Sequence, residues 1–97
     1  MNAITVNHVW KYRNKKRIGQ KRLAHLLGHG SHALVSRWEN GQAIPNVKNL
    51  LKLSYILQVS IEALYPNLYK QYAEEVEERQ EPFLKEESKV EENKMVV

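Results

Sequence analysis

The 97-residue sequence contains no cysteine, which removes disulfides and thiolate metal sites from consideration. No apolar run approaches the roughly 20 residues that a membrane-spanning helix needs. The opening stretch MNAITVNHVW has no basic segment leading into a long apolar core. A secretory leader is therefore not expected, and the protein is read as soluble and cytoplasmic. Acid is scarce in the first two thirds of the chain. Residues 1–65 hold only Glu39 and Glu62 against ten Lys/Arg, a net +8, whereas residues 66–97 hold nine Glu against five Lys/Arg, a net −4. A compact cation is thus followed by a polyanionic tail. A basic domain favours a phosphate-bearing partner, although a solvated basic surface gives the same charge count. The basic part also lacks a nucleophile–base set, a phosphate-cradling glycine loop and a pair of acids, so no enzyme is expected.

What the sequence does contain is centred on QKRLAHLLGHGSHALVSRWENG, Gln20 to Gly41. Leu23, Leu26 and Leu27 repeat at helical spacing with Ala24 beside them. Gly28 and Gly30 interrupt that pattern, and each can take the positive φ of a tight turn. Ser31 can cap a following helix by accepting a free backbone N–H. Leu34, Val35 and Trp38 give that helix an apolar face, while His32, Ala33, Ser36 and Arg37 lie toward its other side. Asn40-Gly41 closes it, with Gly41 suited to a left-handed cap. Two helices this short cannot stand alone in water and must pack on neighbours.

The rest of the chain supplies those neighbours within one small domain. A first helix is expected from Thr5 or Asn7 to Lys16, with Val6, Val9 and Arg13 on one face and Trp10 adjacent. Gly19 stands at the N-cap of the helix opened by Gln20, where it offers no side-chain acceptor. Pro45 and Asn46 suit the start of a fourth helix, whose buried stripe is expected from Val47, Leu50, Leu51, Leu53, Ser54 and Leu57. Ser60 caps a fifth, with Ile61, Leu64 and Tyr65 turned inward, and Pro66 ends the domain. The expected organisation is a helical domain over 1–65, a short additional helix over 66–80, and an acidic tail over 81–97 too poor in apolar residues to order itself. Leu68, Tyr72 and Val76 would form a stripe on the additional helix. It would dock on the domain or on a second copy, or remain undocked.

Taken together, Gln20, Leu23-Ala24, Gly28, Val35-Ser36-Arg37-Trp38-Glu39-Asn40-Gly41 and Pro45 resemble the helix-turn-helix of the Cro and lambda-type phage repressor family. The likeness continues through NVKNLLKLSYILQVSIEAL and covers about Val6 to Tyr65. It implies an all-α, five-helix, lambda-repressor-like domain that binds double-stranded DNA as a sequence-specific regulator, a repressor by the family's habit. Such a domain works without a cofactor and acts as a weak homodimer on a pseudo-palindromic site. The turn departs from the family's commonest form. Ten residues separate Gly28 from Glu39, one more than usual, and the extra residue falls within His29-Gly30-Ser31. Gln58 also replaces a usual glycine.

Carried over residue by residue, the resemblance makes His32, Ala33, Ser36 and Arg37 the base-contacting positions on the third helix. Arg37 is the best candidate for guanine, because its planar fork can pair with O6 and N7 together. A phosphate contact or a surface salt bridge is the competing role. Gln20 and Asn40 become backbone clamps, with Lys21, Ser31, Arg17 and Lys48 as further phosphate partners or simply solvated residues. Arg13 and Glu39 match a structural ion pair found in some repressors of the family. His25, His29 and His32 have spacings that suggest metal ligands, but the glycine turn interrupts them and no metal site is expected. The alternative function is the antitoxin of a toxin–antitoxin pair, in which the acidic tail folds on a basic protein partner.

Overall fold

The computed structural model describes residues 5–95, with side chains described over residues 5–83. Among the described residues six helices follow in order: α1 Val9–Lys15, α2 Gln20–Leu27, α3 Ala33–Glu39, α4 Val47–Leu57, α5 Ile61–Leu64 and α6 Pro66–Met95. No strand occurs among the described residues. The chain divides into two units, Met1–Asn67 and Leu68–Val97.

In the first unit α2, α3 and α4 pack together, with α1 laid against α3. The core is Val9, Leu23, Ala24, Leu27, Val35, Trp38, Leu53, Leu57, Leu64 and Tyr65, and Trp38 is its largest fully buried side chain. Ala24 is small where α2 and α3 approach, so a larger residue there would separate them.

Asn7 decides where α1 begins. Its Oδ1 accepts the Val9 N–H at 3.1 Å, while its Nδ2 donates to the Trp38 carbonyl at 2.8 Å and to the Thr5 carbonyl. The Thr5 N–H in turn donates to the Gly41 carbonyl. These bonds hold residues 5–7 outside the helix, which therefore starts later than the expected Thr5 or Asn7.

The first four helices stop in the same way. Arg17, Gly28, Gly41 and Gln58 each take a left-handed conformation, with φ of 55°, 90°, 73° and 56°. The next residue then donates back over the turn: Ile18 to Arg13, His29 to Ala24, Gln42 to Arg37 and Val59 to Ser54. This pattern satisfies carbonyls that the helix end leaves open. Gly30 does not share it. It is not among the positive-φ glycines, so Gly28 alone turns the chain between α2 and α3. Ser31, expected as the cap of α3, lies one residue too early: His32 holds the cap position without a side-chain bond, and the Ser31 hydroxyl accepts the Ala33 N–H at 3.1 Å from the turn before it.

The apolar pattern misplaces several side chains. Val47 and Leu51 are exposed, and α4 instead buries Asn49, Leu53 and Leu57. Leu26, Val6 and Ile61 are also exposed. Asn46 and Ser60 do cap α4 and α5, accepting the N–H groups of Asn49 and Ala63.

The first unit ends at Asn67, beside the Pro66 expected to end it, and Pro66 also opens α6, where its fixed φ suits a first helical position. The second unit is helical from its start through Met95, past the expected limit of residue 80 and into the segment expected to lack structure. Glu, Lys, Gln and Arg dominate this stretch, and all are good helix formers. Composition gives the segment few apolar residues, and local propensity decides its conformation. Pro82 lies inside the helix and cannot donate to the Glu78 carbonyl.

Candidate nucleic-acid interface

The unit is tied together by one carboxylate. Glu39, at the end of α3, receives Arg13 from α1 in a two-pronged pair, Nε to Oε2 at 2.5 Å and Nη2 to Oε1 at 3.0 Å. It also receives Gln20 Nε2 from the first residue of α2 at 2.8 Å. The third arm of Arg13, Nη1, donates to the Ile18 carbonyl at 2.9 Å. The side chains of Arg13 and Glu39 are only 10% and 5% exposed. A planar guanidinium meeting a carboxylate through two bonds is both strong and directional. The result is that α1, α2 and α3 share one fixed junction. Gln20 therefore has a bracing role in the free protein, and the second N–H of its amide can still donate to another acceptor.

Glu39 consumes one of the two acids in residues 1–65, so nine Lys/Arg remain against Glu62 alone. On α3 the side facing away from Val35 and Trp38 carries the candidate base-reading set. His32, Ala33 and Arg37 are exposed and Ser36 is half-buried. Arg37 borders an open recess with Gly30, Ser31 and Ala33. No hydrogen bond or ion pair occupies its guanidinium among the described residues. Ser31 stands at the entry to α3, its hydroxyl engaged with Ala33. Asn40, at the far end, is exposed, and among the described residues its side chain makes only a long 3.5 Å contact to the Ser36 hydroxyl. Lys21, Arg17 and Lys48 are exposed. The structure thus gathers Ala33, Ser36 and Arg37 on α3 with His32 at its N-cap, while Gln20 and Lys21 lie at the start of α2.

Three residues matter more than sequence reasoning assigned. His29 Nε2 lies 3.2 Å from the Asn49 Oδ1, and its ring meets Trp38 edge-on, with centroids 6.5 Å apart. It serves the packing of the turn against α4. Among the described residues no three His, Cys, Asp or Glu side chains gather as metal ligands. Lys52 donates from Nζ to the Leu27 carbonyl at 3.0 Å, a cation placed on the C-terminal end of α2, where the helix dipole favours it. Asn7 reaches the Trp38 carbonyl across 31 residues of sequence. An Asn ahead of an apolar helical run is a readable capping signal for its bond to Val9, but nothing local points to the bonds of His29 or Lys52.

A helix-turn-helix profile matches residues 11–64, more than half of the chain. The chain belongs to the Cro/C1-type helix-turn-helix family. Its five short helices agree with the lambda-repressor-like domain that the resemblance implies, with α6 as an additional helix. The protein is accordingly a DNA-binding transcriptional regulator, with double-stranded DNA as its partner. The family is a regulatory one and is typically not enzymatic. No curated protein matches the sequence closely enough to count as a relative. No described helix is long and apolar enough to cross a membrane.

Proposed function

We propose that this helix-turn-helix protein is a sequence-specific repressor that lays α3 in the major groove and binds a pseudo-palindromic site as a homodimer. The observation that carries this reading is the state of Arg37. It projects from the outward side of α3 with no partner among the described residues, on a helix whose far end is fixed by the Arg13–Glu39–Gln20 junction. A helix of this diameter fits the groove, and a free guanidinium on its outer side can pair with a guanine edge. His32, Ala33 and Ser36 complete the reading surface. Ala33 offers only a methyl, suited to a thymine methyl. Gln20, Lys21, Ser31, Asn40 and Arg17 hold phosphates and fix the register. Repression follows from occupancy, because a protein seated on an operator excludes other proteins from it.

The direct test is selection of bound duplexes from a random pool at near-physiological salt. An enriched motif with two-fold symmetry is expected. Absence of enrichment with folded protein would overturn the reading.

One observation favours a second reading, the antitoxin. On α6, Glu74, Glu77, Glu78 and Glu81 fall on one side at helical spacing, while Tyr69, Tyr72, Val76 and Phe83 fall on another and are exposed. An amphipathic acidic helix suits a basic protein partner with an apolar groove. Co-purification of the full chain with one stoichiometric basic polypeptide would support it. A monodisperse free-standing chain from its native cell would count against it.

A further inference from the structure

Helix α4 carries an apolar stripe that the fold does not use. Val47, Leu51 and Tyr55 recur at four-residue spacing, one above the other, and are 73%, 58% and 86% exposed. Ile44, just ahead of the helix, is exposed as well. Scattered single apolar residues on a surface need no explanation, but a contiguous row does. The opposite side of the same helix is already committed to the core through Leu53 and Leu57. The row is therefore an additional feature and not the misplaced inner face.

We infer that the outer face of α4 is the seat of a second copy of this chain, paired antiparallel about a two-fold axis at Leu51. This rests on the homodimeric reading above and assigns it a surface. Three features select a second copy as the occupant. The row is symmetric about its own centre, with Val47 one turn before Leu51 and Tyr55 one turn after it. A two-fold axis through Leu51 sets the small Val47 of each copy against the large Tyr55 of the other, the self-complementarity that an isologous contact requires. The charge pattern also permits it. Residues 1–65 carry +8, so most faces of two copies repel, but this row is uncharged. The same axis sets Lys48 opposite the partner's Ser54, and Lys52 is drawn away to the Leu27 carbonyl, so no cation meets a cation. The size also matches the function. An eleven-residue helix is about 16 Å long, and one stripe on it covers much less than the ~800 Å² per partner of a standard stable interface. Such a pair is weak in free solution and becomes effective when DNA holds both copies on adjacent half-sites.

The chain's lack of cysteine makes the test direct. Full-length Leu51→Cys is treated with a short bis-maleimide without DNA at high protein concentration, beside Leu26→Cys, an exposed position on α2. The Leu51→Cys protein is expected to link into dimers much faster than the control. A mixture of Val47→Cys and Tyr55→Cys chains should link to each other in preference to themselves. Equal rates for Leu51→Cys and Leu26→Cys would overturn the assignment, as would a Leu51→Cys thiol shielded from reagent in dilute monomer.

A second measurement uses Leu51→Glu on selected DNA. Affinity for a site with two half-sites should fall about tenfold, the scale of a modest coupling between copies. Affinity for a single half-site should stay within about twofold. Unchanged two-site affinity would place the dimer elsewhere. Loss of single half-site binding by the wild-type chain would instead implicate the DNA-binding reading, so the two failures are distinguishable.

Discussion

At the scale of single residues, two buried polar groups make opposite demands. Glu39 is fully partnered. Removing it strands Arg13 in a site where its side chain is only 10% exposed, so Glu39→Ala should cost about 3–5 kcal/mol in denaturant unfolding. Wild-type stability in that variant would show that the junction is not what holds α1 to α3. Tyr65 is the reverse case. It is 4% exposed and its hydroxyl is buried with no partner among the described residues, which makes the oxygen a burden to the fold. Tyr65→Phe should therefore be as stable as wild type or more so. Burial also pushes the Tyr65 phenol up from 10.0 to about 12. The folded chain holds that proton where the unfolded chain has released it. The stability linked to this group is present below pH 10 and is lost as pH rises toward 12. Alkaline titration of the melting temperature should fall more steeply in wild type than in Tyr65→Phe, and parallel curves would contradict this. The Arg13–Glu39 pair was legible through the family resemblance, and the scarcity of acid in residues 1–65 added only that Glu39 would find a basic partner; the bond from Gln20 to Glu39 was not indicated. The Tyr65 defect was not legible, since spacing indicates burial and not whether a hydroxyl finds a partner.

At the scale of elements, the helix ends separate two kinds of position. Gly28 and Gly41 fill left-handed positions with the residue that suits them, while Arg17 and Gln58 hold the same kind of conformation with a side chain that strains it. Gln58→Gly should stabilise the fold by about 1 kcal/mol, and Gly28→Ala should cost a similar amount. Gly30→Ala should leave stability unchanged, since its φ is not positive and a Cβ there meets nothing within 4 Å. Thermal unfolding of the three variants checks all three signs. The helix–turn–helix itself could be read from the sequence because its signals are local: leucine spacing, a glycine stop and a serine in the turn ahead of the second helix. The start of α1 could not, because the bonds from Asn7 and Thr5 reach Trp38 and Gly41 across more than thirty residues. The inner face of α4 was ambiguous for another reason. Val47, Leu50, Leu51, Leu53, Tyr55, Ile56 and Leu57 spread apolar side chains around most of its circumference, so only packing against the other helices selects Leu53 and Leu57.

At the scale of the whole molecule, charge organises function. The basic residues 1–65 and the acidic residues 66–97 have opposite net signs, so binding to duplex DNA should weaken steeply with added salt as counterions are released. A flat salt dependence would indicate that phosphate contacts contribute little. The charge division was fully readable from the sequence. The continuous α6 was not, because composition suggested a chain with nothing to fold around, whereas a helix needs only its own backbone and favourable residues.

The measurement that bears most directly on how this protein recognises DNA is paired site selection with wild type and Arg37→Ala. Reading of a base by α3 requires that the mutant recover the same motif, relaxed at one position in each half-site, with a loss of roughly 1–3 kcal/mol at that base pair. An unaltered motif bound more weakly at every position would assign Arg37 to a phosphate and contradict direct reading by that residue.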